Sequence, residues 1–125
     1  MSETTRTTWE ALAARCRKAT GPDREIDLAL ARTTDAIVMR QRDDDTGADE
    51  YTYWIFTDLI DHIVSLIEKT LPGKAWEVAS PYSWSGKNAL SAADVGLNRE
   101  YAKTPALALC AAYCMARAGM EDDAP

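Results

Sequence analysis

The sequence predicts an α+β domain in which a small antiparallel sheet of two to three strands packs with about four helices. Three observations carry this. Apolar residues recur at helical spacing in the N-terminal third, again over residues 60–71, and in the C-terminal stretch that opens at Thr104. Between them, over residues 75–96, the spacing changes to strand-like alternation around a turn-forming Ser85-Gly86-Lys87-Asn88. The 125 residues, 46% hydrophobic and 27% charged, suit one globular domain spanning 1–125. A lone hairpin is marginal in water, so these strands need helices to cover them.

The first helix is expected to begin near Thr7, where Thr7-Thr8-Trp9-Glu10 has capping-box spacing. Trp9, Leu12, Ala13 and Cys16 then fall at i, i+3, i+4 and i+7, one apolar stripe. Arg15, Arg17 and Lys18 stand in its last turn, where cations offset the dipole, and Thr20-Gly21 closes it. Pro22 suits the first turn of the next helix, where a missing N–H costs nothing. Asp23 and Glu25 add negative charge at that N-terminus. Ile26 and Leu30 form its face, with Thr33 and Ile37 in line to extend it. Residues 36–39, AIVM, fit either a helix or a short strand, because β-branched residues replace alanines.

Residues 41–50, QRDDDTGADE, hold five acids and one glycine and read as a solvated, mobile loop. The other reading is an acidic contact for a basic partner. The aromatic run YTYWIF, residues 51–56, leads to Thr57, the expected N-cap of a third helix. Ile60, Ile63, Val64, Ile67 and Leu71 give that helix the most regular stripe in the chain, and Pro72-Gly73 ends it.

Trp76 and Val78 alternate with Glu77 and Ala79, as in a half-buried strand. Gly86 and Asn88 can take the left-handed dihedrals of a turn. Residues 89–96, ALSAADVG, form the second strand, predicted mainly because a turn precedes it. GLNREYAK, residues 96–103, is expected to be connecting loop. Thr104 caps and Pro105 opens the last helix, expected to run to about Ala118 with Gly119 as its C′ residue. Residues 119–125 form an acidic, frayed tail.

Charge is uneven along the chain. Residues 1–42 carry eight Lys/Arg and six Asp/Glu, and residues 43–125 carry six and fourteen, so +2 and −8 sum to the formal −6. That balance argues against nucleic acid as a direct partner, since phosphate binding relies on clustered Lys and Arg. It suits a basic protein surface, and it also keeps a protein soluble. No apolar run approaches the roughly 20 residues needed to span a bilayer. MSETTRTTWE lacks the basic-then-apolar layout of a secretory signal, and three cysteines fit no disulfide framework, so a reducing cytoplasm is expected.

Each candidate for chemistry has a plainer reading. Asp58, Asp61 and His62 share a helix, but they flank its buried stripe and read as solvated surface. Cys110 and Cys114 are one turn apart without the further ligands zinc needs, and read as small core residues. Ser85-Gly86-Lys87-Asn88 matches only Gly-Lys of a phosphate loop, with Asn where Ser or Thr belongs. Four Trp and five Tyr against one Phe favour groups with a polar handle, as interfaces do. Tyr82, Trp84 and Lys87 at the hairpin tip are expected to form a contact surface or to pack across the hairpin. Trp54 and Trp76 fit the core.

Four stretches together carry a resemblance: TGPDREIDLALA (20–31), YTYWIFTDLIDHIVSLI (51–67), GKAWEVASPYSW (73–84) and TPALALCAAYCMARAG (104–119). In this order the chain resembles the small phage and prophage proteins of the phage ABA-sandwich family, over roughly residues 9–118. The chain departs from the family pattern at DDDTGADE, where members carry a Trp- and Pro-rich stretch, and in a second strand without aromatics. The resemblance implies helices sandwiching the sheet and a phage origin, with no catalytic residues to carry over.

The functional expectation is a phage- or prophage-encoded, non-enzymatic binding protein in the cytoplasm of the bacterial host. In its sharpest form it is a counter-defence inhibitor, anti-CRISPR-like, of a host nucleic-acid-handling protein. The acidic loop residues Asp43, Asp44, Asp45, Asp49 and Glu50 and the hairpin-tip residues Tyr82, Trp84 and Lys87 are the expected partner-binding groups. The second reading is a sponge for a defence signalling nucleotide, held by aromatic stacking and by Arg99 and Lys103. An enzyme, the third, needs polar groups converging in a pocket. No cofactor, metal, membrane or direct nucleic-acid partner is expected.

Overall fold

Residues Ala106 to Cys114 are all buried, none more than 3% exposed, so the first half of the last helix is enclosed on every side rather than along one stripe. This defines the architecture. The computed structural model describes residues 3–34, 39–42, 49–52, 55–79 and 90–123. They form α1 (Glu3–Lys18), α2 (Arg24–Thr33), β1 (Met39–Arg42), β2 (Asp49–Thr52), α3 (Ile60–Thr70), β3 (Trp76–Ala79), β4 (Ser91–Val95), β5 (Asn98–Ala102) and α4 (Pro105–Asp123). Four helices and a three-stranded antiparallel sheet make it α+β, as predicted. The central α4 packs against α1, against the sheet and against α3. No helix among the described residues is long and apolar enough to cross a membrane.

In α1 the expected stripe is the buried one: Trp9, Leu12, Ala13 and Cys16 are at most 4% exposed. The helix starts at Glu3, however, so Thr7 and Thr8 lie inside it, exposed, and do not cap it. Thr-x-x-Glu spacing also fits the solvent face of a continuing helix. In α2 the cap is Asp23, whose Oδ1 accepts the N–H groups of Glu25 at 2.9 Å and Ile26 at 3.1 Å. Pro22 therefore precedes the cap instead of opening the first turn.

The stretch expected as loop 41–50 is strand at both ends. β1 pairs antiparallel with β2 in the register Met39↔Thr52 to Arg42↔Asp49, so Asp49 and Glu50 belong to a ladder. The ambiguous AIVM ends in strand at Met39, while residues 35–38 lie outside the described residues. In α3, Ile63 and Ile67 are buried as the stripe requires and Leu71 just after it is too, while Ile60 and Val64 are half-buried and Leu66, outside the expected stripe, is buried. Its N-cap is Leu59, without a side-chain hydrogen bond, so Thr57 is not the cap.

β4 is the central strand, between β3 and β5. The segment expected as connecting loop is β5, joined to β4 by the two-residue turn Gly96-Leu97. Gly96 has φ +61°, as the tight hairpin turns require at their first central position. Its alternation hides behind polar residues. Glu100 takes an inward-facing register, and Arg17 of α1 donates to its carboxylate through Nε–H. Ser91, Ala93, Val95 and Ala102 are buried on the α4 side, and three of these side chains are small enough to let the helix sit close. The opposite face carries Glu77, Ala79, Asp94, Arg99 and Tyr101. Trp76, expected in the core, is 38% exposed at the sheet edge.

The predicted start of α4 holds: Thr104 Oγ1 accepts the Leu107 N–H at 3.2 Å. Its end does not. Gly119 is not among the glycines with positive φ, and the helix runs through it to Asp123, converting most of the expected frayed tail into helix.

Candidate functional site

Of the expected partner-binding residues, Asp43, Asp44, Asp45, Tyr82, Trp84 and Lys87 lie outside the described residues. Asp49 and Glu50 stand in β2, opposite Arg42 and Gln41. Arg42 and Asp49 are cross-strand partners, and residues 43–48 lie outside the described residues. Among the described elements, the β1–β2 ribbon pairs only with itself.

Arg99 and Asp94 are cross-strand partners on β5 and β4. The Arg99 guanidinium grips the carboxylate with a fork, Nε–H to Oδ1 at 2.9 Å and Nη2–H to Oδ2 at 3.1 Å. Those hydrogen bonds hold the Asp94 carboxyl below the usual aspartate range and raise the Arg99 pKa. The cation expected to grip a nucleotide phosphate is thus already engaged. Lys103, in the link to α4, is exposed. On the same face as the fork, Tyr101 is 50% exposed, and Leu97 at the adjoining turn is fully exposed at 103%.

Of the groups weighed for catalysis, His62 and the cysteines are turned inward. His62 Nδ1 accepts the Ile55 N–H at 3.0 Å, anchoring the approach to α3, while Asp58 and Asp61 are exposed. Cys16, Cys110 and Cys114 are free thiols at 0% exposure. Cys110 Sγ–H donates to the Phe56 carbonyl at 3.3 Å. Burial pushes the Cys110 and Cys114 thiols well above their ordinary pKa, the opposite of what a nucleophile needs. Among the described residues, no three His, Cys, Asp or Glu side chains are placed to hold a metal ion.

Two polar clusters were not anticipated. The first joins α2 to the entry of α3. Asp27 is 5% exposed, and its Oδ1 accepts both the Thr57 N–H at 2.8 Å and the Thr57 hydroxyl at 3.0 Å. Thr57 Oγ1 in turn accepts the Asp23 N–H at 2.8 Å. Burial raises the Asp27 pKa, and the two Thr57 hydrogen bonds oppose that rise.

The second cluster lies where α1, α3 and α4 meet. Arg117 Nη1–H donates to the Tyr113 hydroxyl at 3.2 Å, and that hydroxyl shares a 2.7 Å hydrogen bond with Thr70 Oγ1. Thr70 donates onward to the Leu66 carbonyl at 2.8 Å, so the Tyr113 proton points to Thr70. Tyr113 meets Trp9 edge-to-face at 5.8 Å, and the Arg117 guanidinium carbon stands 4.9 Å from the centroid of the Trp9 ring. Two buried donors of this cluster, the indole N–H of Trp9 and the Nε–H of Arg117, meet no acceptor among the described residues. An unmet buried donor costs about 1–3 kcal/mol. Sequence offered one clue, the i, i+4 spacing of Tyr113 and Arg117, but Trp9 lies at the other end of the chain.

No family model, curated protein or solved structure matches this chain.

Proposed function

We propose that this is a non-enzymatic binding protein, phage- or prophage-encoded, that captures a basic surface on a host protein. The counter-defence form of this reading makes the target a nucleic-acid-handling defence component, with the chain's acidic stretch occupying a surface that normally holds phosphates. One observation carries it. The densest acidic segment, residues 43–50, follows β1 and includes the first two residues of β2, and among the described elements these two strands pack only on each other. A ribbon that packs on no other described element can meet a partner at little cost to the core. The internal employment of His62, Asp27 and the thiols supports binding over catalysis.

The test is capture of the partner by the wild type and by a variant with Asp43, Asp44, Asp45, Asp49 and Glu50 changed to Lys. Capture should be lost in the variant, and the captured protein should be released by competing nucleic acid. Equal capture by both chains, with no competition, defeats the proposal. The nucleotide-sponge reading gains nothing from Arg99, which is already forked to Asp94.

A further inference from the structure

We propose that His62 is a proton-operated latch at the root of the β1–β2 ribbon, holding the returning chain only while its imidazole is neutral. The Ile55 N–H fixes the tautomer. A backbone amide N–H only donates, so the ring nitrogen it meets at 3.0 Å, Nδ1, carries no proton. The neutral ring therefore keeps its proton on Nε2. A second proton has one place to go, Nδ1, and there it turns the acceptor into a donor facing another donor. His62 is half-buried, so protons from solvent reach the ring.

The place of this bond in the chain gives it a consequence. Ile55 follows the end of β2, Thr52, by three residues, and among the described elements the ribbon pairs only with itself. The residues after Ile55 are held by other means. Phe56 is 1% exposed and its carbonyl accepts the Cys110 Sγ–H, while Thr57 is clasped by Asp27. Protonating His62 thus releases the returning chain at Ile55 and leaves Phe56 and Thr57 in place. The charged and titratable groups that flank this turn are Asp58 and Asp61 beside His62, Asp23, Arg24 and Asp27 on α2, and Cys110 on α4. Asp23 caps α2, Asp27 holds Thr57 with Arg24 as its nearby cation, and Cys110 bonds Phe56. Of these groups, His62 is the one that meets the Ile55 N–H.

The test uses the intact protein labelled with ¹⁵N. The ring nitrogens of His62, the one histidine in the chain, report its tautomer and its protonation, and hydrogen exchange of single backbone amides reports the latch. The neutral ring should carry its proton on Nε2. As acid adds the second proton, the Ile55 amide should lose at least tenfold of its exchange protection in step with the ring, while the Thr57 amide keeps its own. In His62→Asn, whose side-chain oxygen takes the place of Nδ1 and does not titrate, the Ile55 amide should stay protected over the same range. A wild-type Ile55 amide that stays protected while the ring titrates overturns the latch, and so does a neutral ring protonated on Nδ1. Equal loss at Thr57 in step with the ring overturns it too, because the whole junction then opens rather than its edge. Those wild-type readouts stand even if the variant fails to fold.

Discussion

Thr57 and Asp27 clasp each other through a single carboxylate oxygen, which accepts the threonine N–H at 2.8 Å and its hydroxyl at 3.0 Å. The same hydroxyl oxygen receives the Asp23 N–H, so one side chain ties the α2 cap to the start of α3. Thr57→Val keeps the shape and removes the hydroxyl, leaving the Asp23 N–H unmet. The expected loss is about 1–3 kcal/mol, read from urea unfolding. An unchanged midpoint would show that the clasp adds nothing to stability.

The buried carboxylate also sets a pH dependence. Burial raises the Asp27 pKa in the folded chain above its unfolded value. Between those two values the folded state binds more protons, so stability rises as pH falls through the folded pKa and levels off below the ordinary aspartate value. Measured against Asp27→Asn, the wild type should gain stability across that window. A difference that stays flat with pH, or that runs the other way, contradicts the assignment.

Two glycines should respond oppositely to alanine. Gly96 has φ +61°, and a Cβ there would stand 3.1 Å from Lys74 Cδ, a flexible side chain that can give way. The backbone strain remains, so Gly96→Ala should cost roughly 1–2 kcal/mol. Gly119 sits exposed within α4 with nothing within 4 Å of the added carbon, and Gly119→Ala should stabilise by roughly 0.5–1 kcal/mol. Thermal melts of the two variants should shift in opposite directions.

Burial predicts a sharp contrast between two apolar side chains. Ile67 is 0% exposed in the core between α3 and its neighbours, and Leu97 is fully exposed at 103% on the β4–β5 turn. Ile67→Ala should cost about 2–5 kcal/mol, while Leu97→Ala should change stability by about 0.5 kcal/mol or less. Similar losses at both positions would mean that Leu97 is covered in solution.

The thiols should be silent until the chain opens. With Cys110 and Cys114 at 0% exposure and their pKa values raised by burial, iodoacetamide should label them only as fast as the protein unfolds. The labelling rate should rise with urea in step with the unfolded population. Rapid labelling of the native protein counts against the buried arrangement.

The clearest sequence signals came from residues whose neighbours are local. Ile63 and Ile67 lie buried as their spacing demands, and Thr104 caps α4 by accepting the N–H of Leu107, three residues on. The weak alanine-rich strand proved to be the centre of the sheet, and its small buried side chains at Ser91 and Ala93 let α4 approach. Local reasoning failed where spacing patterns are degenerate. Thr7-Thr8-Trp9-Glu10 fits a cap and a helix interior equally, and Gly119 fits a stop and an exposed helical position equally. β5 is hidden in the sequence because Glu100 breaks the apolar alternation, and its inward register is met by Arg17 from the other end of the chain.

By itself the sequence determined the α+β class, the four helical segments, β3, the central strand and the acidic balance, all of which follow from periodicity and composition. Tertiary structure alone decided which polar groups turn inward and what they meet. Asp27 and Thr57 are 30 residues apart, and Arg17 and Glu100 are 83 apart. The stacking of Arg117 on Trp9 spans nearly the whole chain. A periodic pattern reports which face of an element is apolar, but a buried charge or donor is set by partners that only folding brings within about 3 Å.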